Sequence, residues 1–133
     1  MCPLCNPIDE DIIFQNALFR VILVDDIPGY VRVITQKHVK ELSELSINEA
    51  ITITKALIAI EEKIIELLKP DKINIASLGN MVAHLHFHII PRYKNDPWWP
   101  NVTFCEEKEY QNPLFEKNRF KQELKECLKN FSS

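Results

Sequence analysis

Residues 84–90 read His-Leu-His-Phe-His-Ile-Ile, so three histidines alternate with apolar residues. Alternation with a period of two predicts a β-strand, because successive side chains of a strand point to opposite faces of a sheet. The imidazoles of His84, His86 and His88 are then expected on one face, with the apolar residues between them directed into the core. Three titratable rings in a row on a buried strand are not explained by packing of the core. The pattern therefore predicts a functional site on this face.

The spacing of the three histidines disfavours one metal ion as their shared ligand. At a rise of about 3.3 Å per residue, the backbones of His84 and His88 lie roughly 13 Å apart. Zinc holds imidazole nitrogens at about 2.0–2.1 Å in a tetrahedron. Two adjacent histidines could bind one ion, but a further ligand would then have to come from elsewhere. An extended anion such as a polyphosphate or a phosphate ester fits the row better, and we assign no metal ligand here.

The middle residue, His86, is the candidate nucleophile. Neighbouring imidazoles oppose one another's protonation, so a central ring tends to be neutral and able to attack while another carries a proton. Attack by histidine on phosphorus divides one difficult displacement into two easier steps through a covalent phosphoramidate. The segment therefore predicts transfer or hydrolysis of a phosphorus group.

Composition excludes several other kinds of nucleotide site. Glycine occurs only at Gly29 and Gly79, whereas phosphate loops, dinucleotide-binding turns and nucleophile elbows need glycines a few residues apart. The net charge is −3 over 133 residues, so a nucleic-acid polymer is not an expected partner. With 46% hydrophobic and 26% charged residues, the chain is expected to form a single globular domain over residues 1–133.

Neither a secretory signal nor a membrane span is evident in the sequence. The first residues lack a basic segment followed by an apolar run. The longest apolar stretch, residues 50–68, is interrupted by lysines and glutamates, whereas a membrane span needs about 20 apolar residues. We therefore expect a cytoplasmic protein with free cysteine thiols and no membrane partner.

The remaining patterns predict an α+β fold with an antiparallel five-stranded sheet. Residues 46–49, Ser-Ile-Asn-Glu, match a capping box at the start of a long helix that ends near Pro70. Apolar residues at helical spacing predict a C-terminal helix within residues 115–131. The long helix carries two apolar rows, which either deep burial or a partner subunit would explain. Strands are expected over residues 12–14, 19–25, 30–35, 72–77 and 84–91.

The histidine segment resembles the histidine triad (HIT) superfamily, whose motif is His-φ-His-φ-His-φ-φ with φ apolar, at all seven positions. Residues 30–38 are similar to the family's upstream strand and turn, and Asp25 falls where its ribose-binding acid lies. The lead-in over residues 76–80 looks like that of a bacterial branch described as diadenosine tetraphosphate hydrolase-like. The resemblance covers a motif-bearing core of about residues 10–92.

The resemblance implies a nucleotide-binding domain that pairs as a homodimer through its helix and an edge strand. Such a protein hydrolyses or transfers nucleoside monophosphate groups of phosphoanhydrides, diadenosine polyphosphates among them, or of phosphoramidates. Carried over by motif position, His86 attacks the α-phosphorus and is oriented by the backbone carbonyl of His84. His88 donates to the phosphate, and the His84 side chain supports the leaving-group side. The family's chemistry implies no cofactor and no metal.

Four further residues are candidates for binding the nucleotide. The resemblance implies that Asp25 forms hydrogen bonds with the ribose hydroxyls. Ile13 and Phe14 could line a base pocket or belong to the core. Many members have Gln followed by Ser or Thr before the triad, where this chain has Asn80 and Met81. Asn80 can still donate a hydrogen bond to phosphate, whereas Met81 cannot.

Cys2-Pro-Leu-Cys5 has the spacing that some HIT proteins combine with two histidines to bind structural zinc. By resemblance those histidines fall at Tyr30 and His84. A tyrosine is a poor replacement, so two reduced thiols are favoured over zinc. Besides the enzyme, two other functions stay open from the sequence, namely a non-catalytic nucleotide-binding adaptor and a zinc-binding module.

Overall fold

A single antiparallel sheet of five strands forms the centre of the computed structural model, which describes residues 2–131. Residues 1, 132 and 133 of the predicted domain lie outside the described part. The sheet order is β1-β2-β3-β5-β4, which confirms the α+β prediction with its long helix and C-terminal helix. The strands are β1 (Asp11–Gln15), β2 (Phe19–Leu23), β3 (Val31–Thr35), β4 (Lys72–Ala76) and β5 (His86–Arg92), and the helices are α1 (Ile47–Leu68) and α2 (Lys117–Leu128).

The strand of the histidine segment begins two residues later than predicted. β5 starts at His86, and His84 lies in a bend before it. The cause is the backbone of Leu85, whose N–H donates to the carbonyl of Val39 at 2.7 Å, in the loop beyond the end of β3. Only His86 and His88 therefore belong to the strand, and His84 is placed by the loop.

Helix α1 begins and ends where the sequence predicted. The Ser46 hydroxyl accepts from the Glu49 N–H at 3.1 Å, and the Glu49 carboxylate accepts from the Ser46 N–H at 2.9 Å. The chain leaves the helix at Lys69, with φ of 49°, directly before Pro70. One apolar row is buried in the core, whereas the other is exposed, so deep burial within this chain does not explain both. The exposed row consists of Ile51, Ile58 and Ile65, and Ile47 in the first turn is exposed as well.

The two faces of the sheet differ in what covers them. Both helices and the main apolar cluster, including Val33 and Phe87, lie on one face. The opposite face carries Arg32 across from His88 and is flanked by the N-terminal segment and the chain that follows β5. Within residues 2–131, no helix combines the length and apolar character that crossing a bilayer requires.

A buried ion pair fixes the chain after β5 to the sheet. The guanidinium of Arg92 donates to the carboxylate of Asp96 at 2.8 and 3.0 Å, with both side chains nearly inaccessible. The same carboxylate accepts from the backbone N–H groups of Tyr93, Trp98 and Trp99. Burial alone would raise the pKa of Asp96, but these donors outweigh it and hold the pKa below its usual value.

We predict that Asp96→Ala lowers the free energy of unfolding by about 3–5 kcal/mol, because the buried charge of Arg92 then loses its carboxylate and keeps only the neutral amide oxygen of Asn74 as a hydrogen-bond partner. Urea denaturation measures the loss. Glu66→Ala is the control, since Glu66 forms an exposed pair with Lys63, and exposed pairs contribute little to stability. Equal losses in the two variants would contradict the role given to Asp96.

Candidate functional site

His86 is oriented by a hydrogen bond within its own segment. Its Nδ1 lies 2.7 Å from the backbone carbonyl oxygen of His84. A carbonyl oxygen only accepts, so Nδ1 carries the proton and Nε2 of the neutral ring keeps its lone pair. This is the orientation that the resemblance implied, and it leaves a nitrogen able to attack an electrophile.

His88 stands beside His86, with ring centroids 4.8 Å apart and planes at 76°. Its Nδ1 lies 2.5 Å from the hydroxyl of Tyr30, and Nε of Arg32 donates to the same hydroxyl oxygen at 2.9 Å. Burial, with help from His86 and the charge of Arg32, lowers the pKa of His88 to about 4. His88 is therefore neutral at pH 7. The exposed ring of Phe104 contacts it edge-on, with centroids 4.9 Å apart.

His84, the first histidine of the motif, contacts a different set of groups. Its Nε2 donates to the backbone oxygen of Thr35 at 2.7 Å, which leaves Nδ1 as an acceptor. That nitrogen lies 3.4 Å from the sulfur atoms of both Cys2 and Cys5, and the ring packs edge-on against His38 at 5.0 Å. The predicted row is thus divided, because the bend before β5 places His84 with the cysteines.

Cys2, Cys5, His38 and His84 form a compact cluster whose four ligand atoms all lie within 4.8 Å of one another. Two thiolates and two imidazoles are a donor set that tetrahedral zinc prefers. The hydrogen bond from His84 to a backbone carbonyl is the kind of support that orients a metal-binding histidine. The histidine expected at position 30 is supplied by His38 instead. The signal that could have found His38 is its position just beyond the end of β3, where the chain turns back beside the histidine segment.

Two open cavities meet at Arg32, whose backbone pairs with that of His88. One has a volume of about 650 Å³ and is lined by Tyr30, Trp98 and Phe104 among others. The other has a volume of about 640 Å³ and lies against the N-terminal segment. The histidine pair therefore lies beside a residue that borders two spaces large enough for small-molecule groups.

The predicted substrate-binding residues are only partly brought together. Asp25 lines the second cavity, and its carboxylate lies 3.4 Å from Nζ of Lys117. Asn80 is exposed in the loop between β4 and β5, and its contact with phosphate stays a prediction.

Ile13 and Phe14 lie in the core and line neither of the two cavities. The pairing of β1 with β2 shifts between Ile12 and Phe14, and an interruption of the regular register re-aims the side chains next to it. Ile12 is the residue that stands opposite Ile22 of the second cavity. The placement gives no support to a base pocket made by Ile13 and Phe14.

A family model for the HIT domain matches residues 6–95 of this chain. The chain belongs to the HIT family. An uncharacterized HIT-like protein of Saccharolobus solfataricus is 30% identical over an alignment of 110 residues, and the match covers 73% of this chain and 78% of the relative. HIT proteins are in general nucleotide-binding hydrolases or transferases.

Solved structures of HIT proteins share the fold. A histidine triad protein from Bradyrhizobium japonicum matches with a TM-score of 0.77 at 24% identity, over 90% of each chain. A zinc-bound histidine triad family protein from Mycobacterium smegmatis matches with a TM-score of 0.66 at 20% identity, over 98% of this chain and 94% of that one. At these identities the likeness concerns the fold alone.

We predict that the imidazole of His88 in this HIT protein titrates at a pKa of about 4, whereas an exposed histidine titrates near 6.5. The unfolded chain takes up the proton first, so stability that is present above pH 6.5 is lost as the pH falls towards 4. Side-chain NMR of His88 against pH measures the midpoint. Denaturation of a His88→Gln variant should show a weaker pH dependence over the same range. A midpoint near 6.5 would contradict the buried, neutral ring.

Proposed function

We propose that this HIT protein is a nucleotide hydrolase or nucleotidyl transferase that acts through a covalent nucleotidyl-histidine on His86. The observation that supports it is the hydrogen bond from Nδ1 of His86 to the carbonyl of His84, which frees Nε2 for attack. The ring of His86 becomes positively charged when Nε2 bonds to phosphorus. The ring of His88, whose centroid lies 4.8 Å away, is neutral and therefore does not repel that charge.

The proposed reaction has two displacements at the α-phosphorus. Nε2 of His86 attacks and a P–N bond forms, while the bond from phosphorus to the leaving oxygen or nitrogen breaks and the leaving group departs with the electron pair. A nitrogen leaving group takes up a proton as it departs, and the water that attacks later releases one. Water, or an acceptor hydroxyl in a transferase, then attacks the same phosphorus, and the P–N bond returns its electron pair to His86. Each displacement is made easier because the nucleophile is held in place before attack. Nucleoside phosphoanhydrides and phosphoramidates, including diadenosine polyphosphates, are the proposed substrates.

We propose that the two cavities beside Arg32 divide the substrate between them. The carboxylate of Asp25 in the second cavity suits the paired hydroxyls of a ribose, since a charged acceptor forms strong hydrogen bonds with hydroxyl donors. The first cavity, with the rings of Trp98 and Phe104, is then left for the leaving group. Arg32 lies between them, where the phosphorus groups of a bound substrate would pass.

Pairing as a homodimer belongs to the same proposal. In the single chain, four isoleucines of α1 are exposed to solvent. Ile75 of the edge strand β4 is also 43% exposed. Rows of exposed isoleucine favour a contact that removes them from water. A second copy of this chain is the proposed partner.

We predict that His86→Asn lowers turnover by about 1000-fold or more, because asparagine cannot form the covalent intermediate. Purified protein is incubated, without added metal, with adenosine and guanosine phosphoramidates and dinucleoside polyphosphates, and release of nucleoside monophosphate is followed. Mass spectrometry of protein denatured in base, where the P–N bond survives, should show the nucleotidyl adduct on wild type only.

The outcome of that experiment separates the candidate functions. Retained turnover in a folded His86→Asn variant, checked by circular dichroism and thermal melting, would exclude His86 as the nucleophile. Tight binding of nucleotides by wild type, with neither adduct nor product, would favour a non-catalytic nucleotide-binding adaptor instead.

We also propose a structural zinc ion held by Cys2, Cys5, His38 and His84. The support is the compact cluster of two sulfur and two nitrogen atoms, and the similar protein of Mycobacterium smegmatis is described as zinc-bound. Four protein ligands would leave no open position for substrate, which is typical of a structural site. The ion would attach the N-terminal segment to the loop after β3.

We predict about one zinc per chain by elemental analysis of protein purified under reducing conditions. Cys5→Ser should lose most of the metal and unfold at lower temperature, because a ligand thiolate is gone. Cys105→Ser is the matched control, since Cys105 is an exposed thiol outside the cluster. Wild-type protein without zinc after growth with zinc supplied would refute the site.

A further inference from the structure

Arg32, Tyr30 and His88 form a chain of hydrogen bonds beside the proposed nucleophile. Nε of Arg32 lies 2.9 Å from the Tyr30 hydroxyl, and that hydroxyl lies 2.5 Å from Nδ1 of His88. Tyr30 is only 2% exposed and packs with Ile27 and Trp98 among others. The positions of the protons in these hydrogen bonds decide whether Nε2 of His88 can donate a hydrogen bond to a substrate.

The protons can be assigned from the donors and acceptors available. The Nε–H of Arg32 can only donate, so the Tyr30 oxygen accepts from it. Within residues 2–131, the Tyr30 oxygen has no partner other than Arg32 and His88. If Nδ1 of His88 also donated, the phenolic proton would be buried without an acceptor, which carries a desolvation penalty. The phenolic proton therefore goes to Nδ1.

We infer that Tyr30 is a positioning residue that fixes His88 as an Nε2–H donor, and that Arg32 sets the direction of the Tyr30 proton. Its catalytic meaning rests on the proposed function. His86 has its proton on Nδ1 and a free Nε2, so the two adjacent rings hold opposite tautomers. One can attack phosphorus while the other donates to a phosphoryl oxygen.

The groups around these hydrogen bonds keep the protons of Tyr30 and His88 in the assigned positions near neutral pH. Burial raises the pKa of Tyr30, against the opposing effect of Arg32, so the phenol keeps its proton. His86 and Arg32 both face His88 and disfavour a charge on it, and Asp26 further favours the neutral phenol. A tyrosine at position 30 thus does not weaken the site, because it supplies a proton whose direction is fixed.

Side-chain NMR tests the inference without any substrate. Nitrogen-15 shifts of the wild-type His88 ring should report the Nε2–H tautomer. Tyr30→Phe removes the phenolic donor and should give a mixture that includes Nδ1–H, and Arg32→Met should give a smaller change in the same direction. Tyr110→Phe is the matched control, because it removes a hydroxyl from the same aromatic cluster and should leave the tautomer unchanged.

Kinetics then test the consequence for the reaction. Tyr30→Phe should lower the rate of nucleotidyl transfer to His86 about 10- to 100-fold, with the KM changed by less than about twofold. In a His88→Gln background, Tyr30→Phe should lower the rate of nucleotidyl transfer little further, since Tyr30 acts through His88. Equal losses in both backgrounds would mean a structural role and would overturn the inference.

The two proposals fail in different ways. A wild-type His88 with its proton on Nδ1, or a tautomer unmoved by Tyr30→Phe, would overturn this inference even if the adduct on His86 forms. A confirmed Nε2–H tautomer that Tyr30→Phe disturbs supports the positioning role, and the absence of an adduct would then count against the proposed function alone.

Discussion

β3 and β5 pair antiparallel, with Arg32 opposite His88 and Ile34 opposite His86, and each feature of the site follows from that register. The pairing brings Arg32 and the preceding Tyr30 to the ring of His88, and it sets the end of β3 beside the bend at His84. Because side chains alternate along a strand, a slip by one residue would move the histidine pair into the core beneath the helices. The apolar residues on the other face, which pack on α1, hold the register and thereby the chemistry.

Much of the fold could be predicted from local patterns, and the failures share one cause. The capping box of Ser46 and Glu49 is complete within four residues, and so is the alternation that places His86 and His88 on one face. The bend at His84 depends on a hydrogen bond from its neighbour to a loop some 45 residues earlier in the chain. Periodicity carries no information on such a contact.

Two candidate residues show the same limit at the substrate side. For Ile13 and Phe14 the strand pattern left a base pocket and the core as alternatives, and the structure places both side chains in the core beside a register shift in β1. His38 was missed as a cluster member because its distance from His84 closes only when the sheet forms. Residues that act through long-range contacts are therefore the part of the site that needs the structure.

His84 contacts His86 through its main chain and the two cysteines through its side chain. Its main-chain oxygen orients the ring of His86, whereas its imidazole faces the sulfur atoms of the N-terminal segment. A carbonyl is common to all amino acids, but an imidazole is not. A substitution at position 84 would therefore take the imidazole away from the cysteines and from the carbonyl of Thr35, while the carbonyl that aligns the attacking nitrogen would remain.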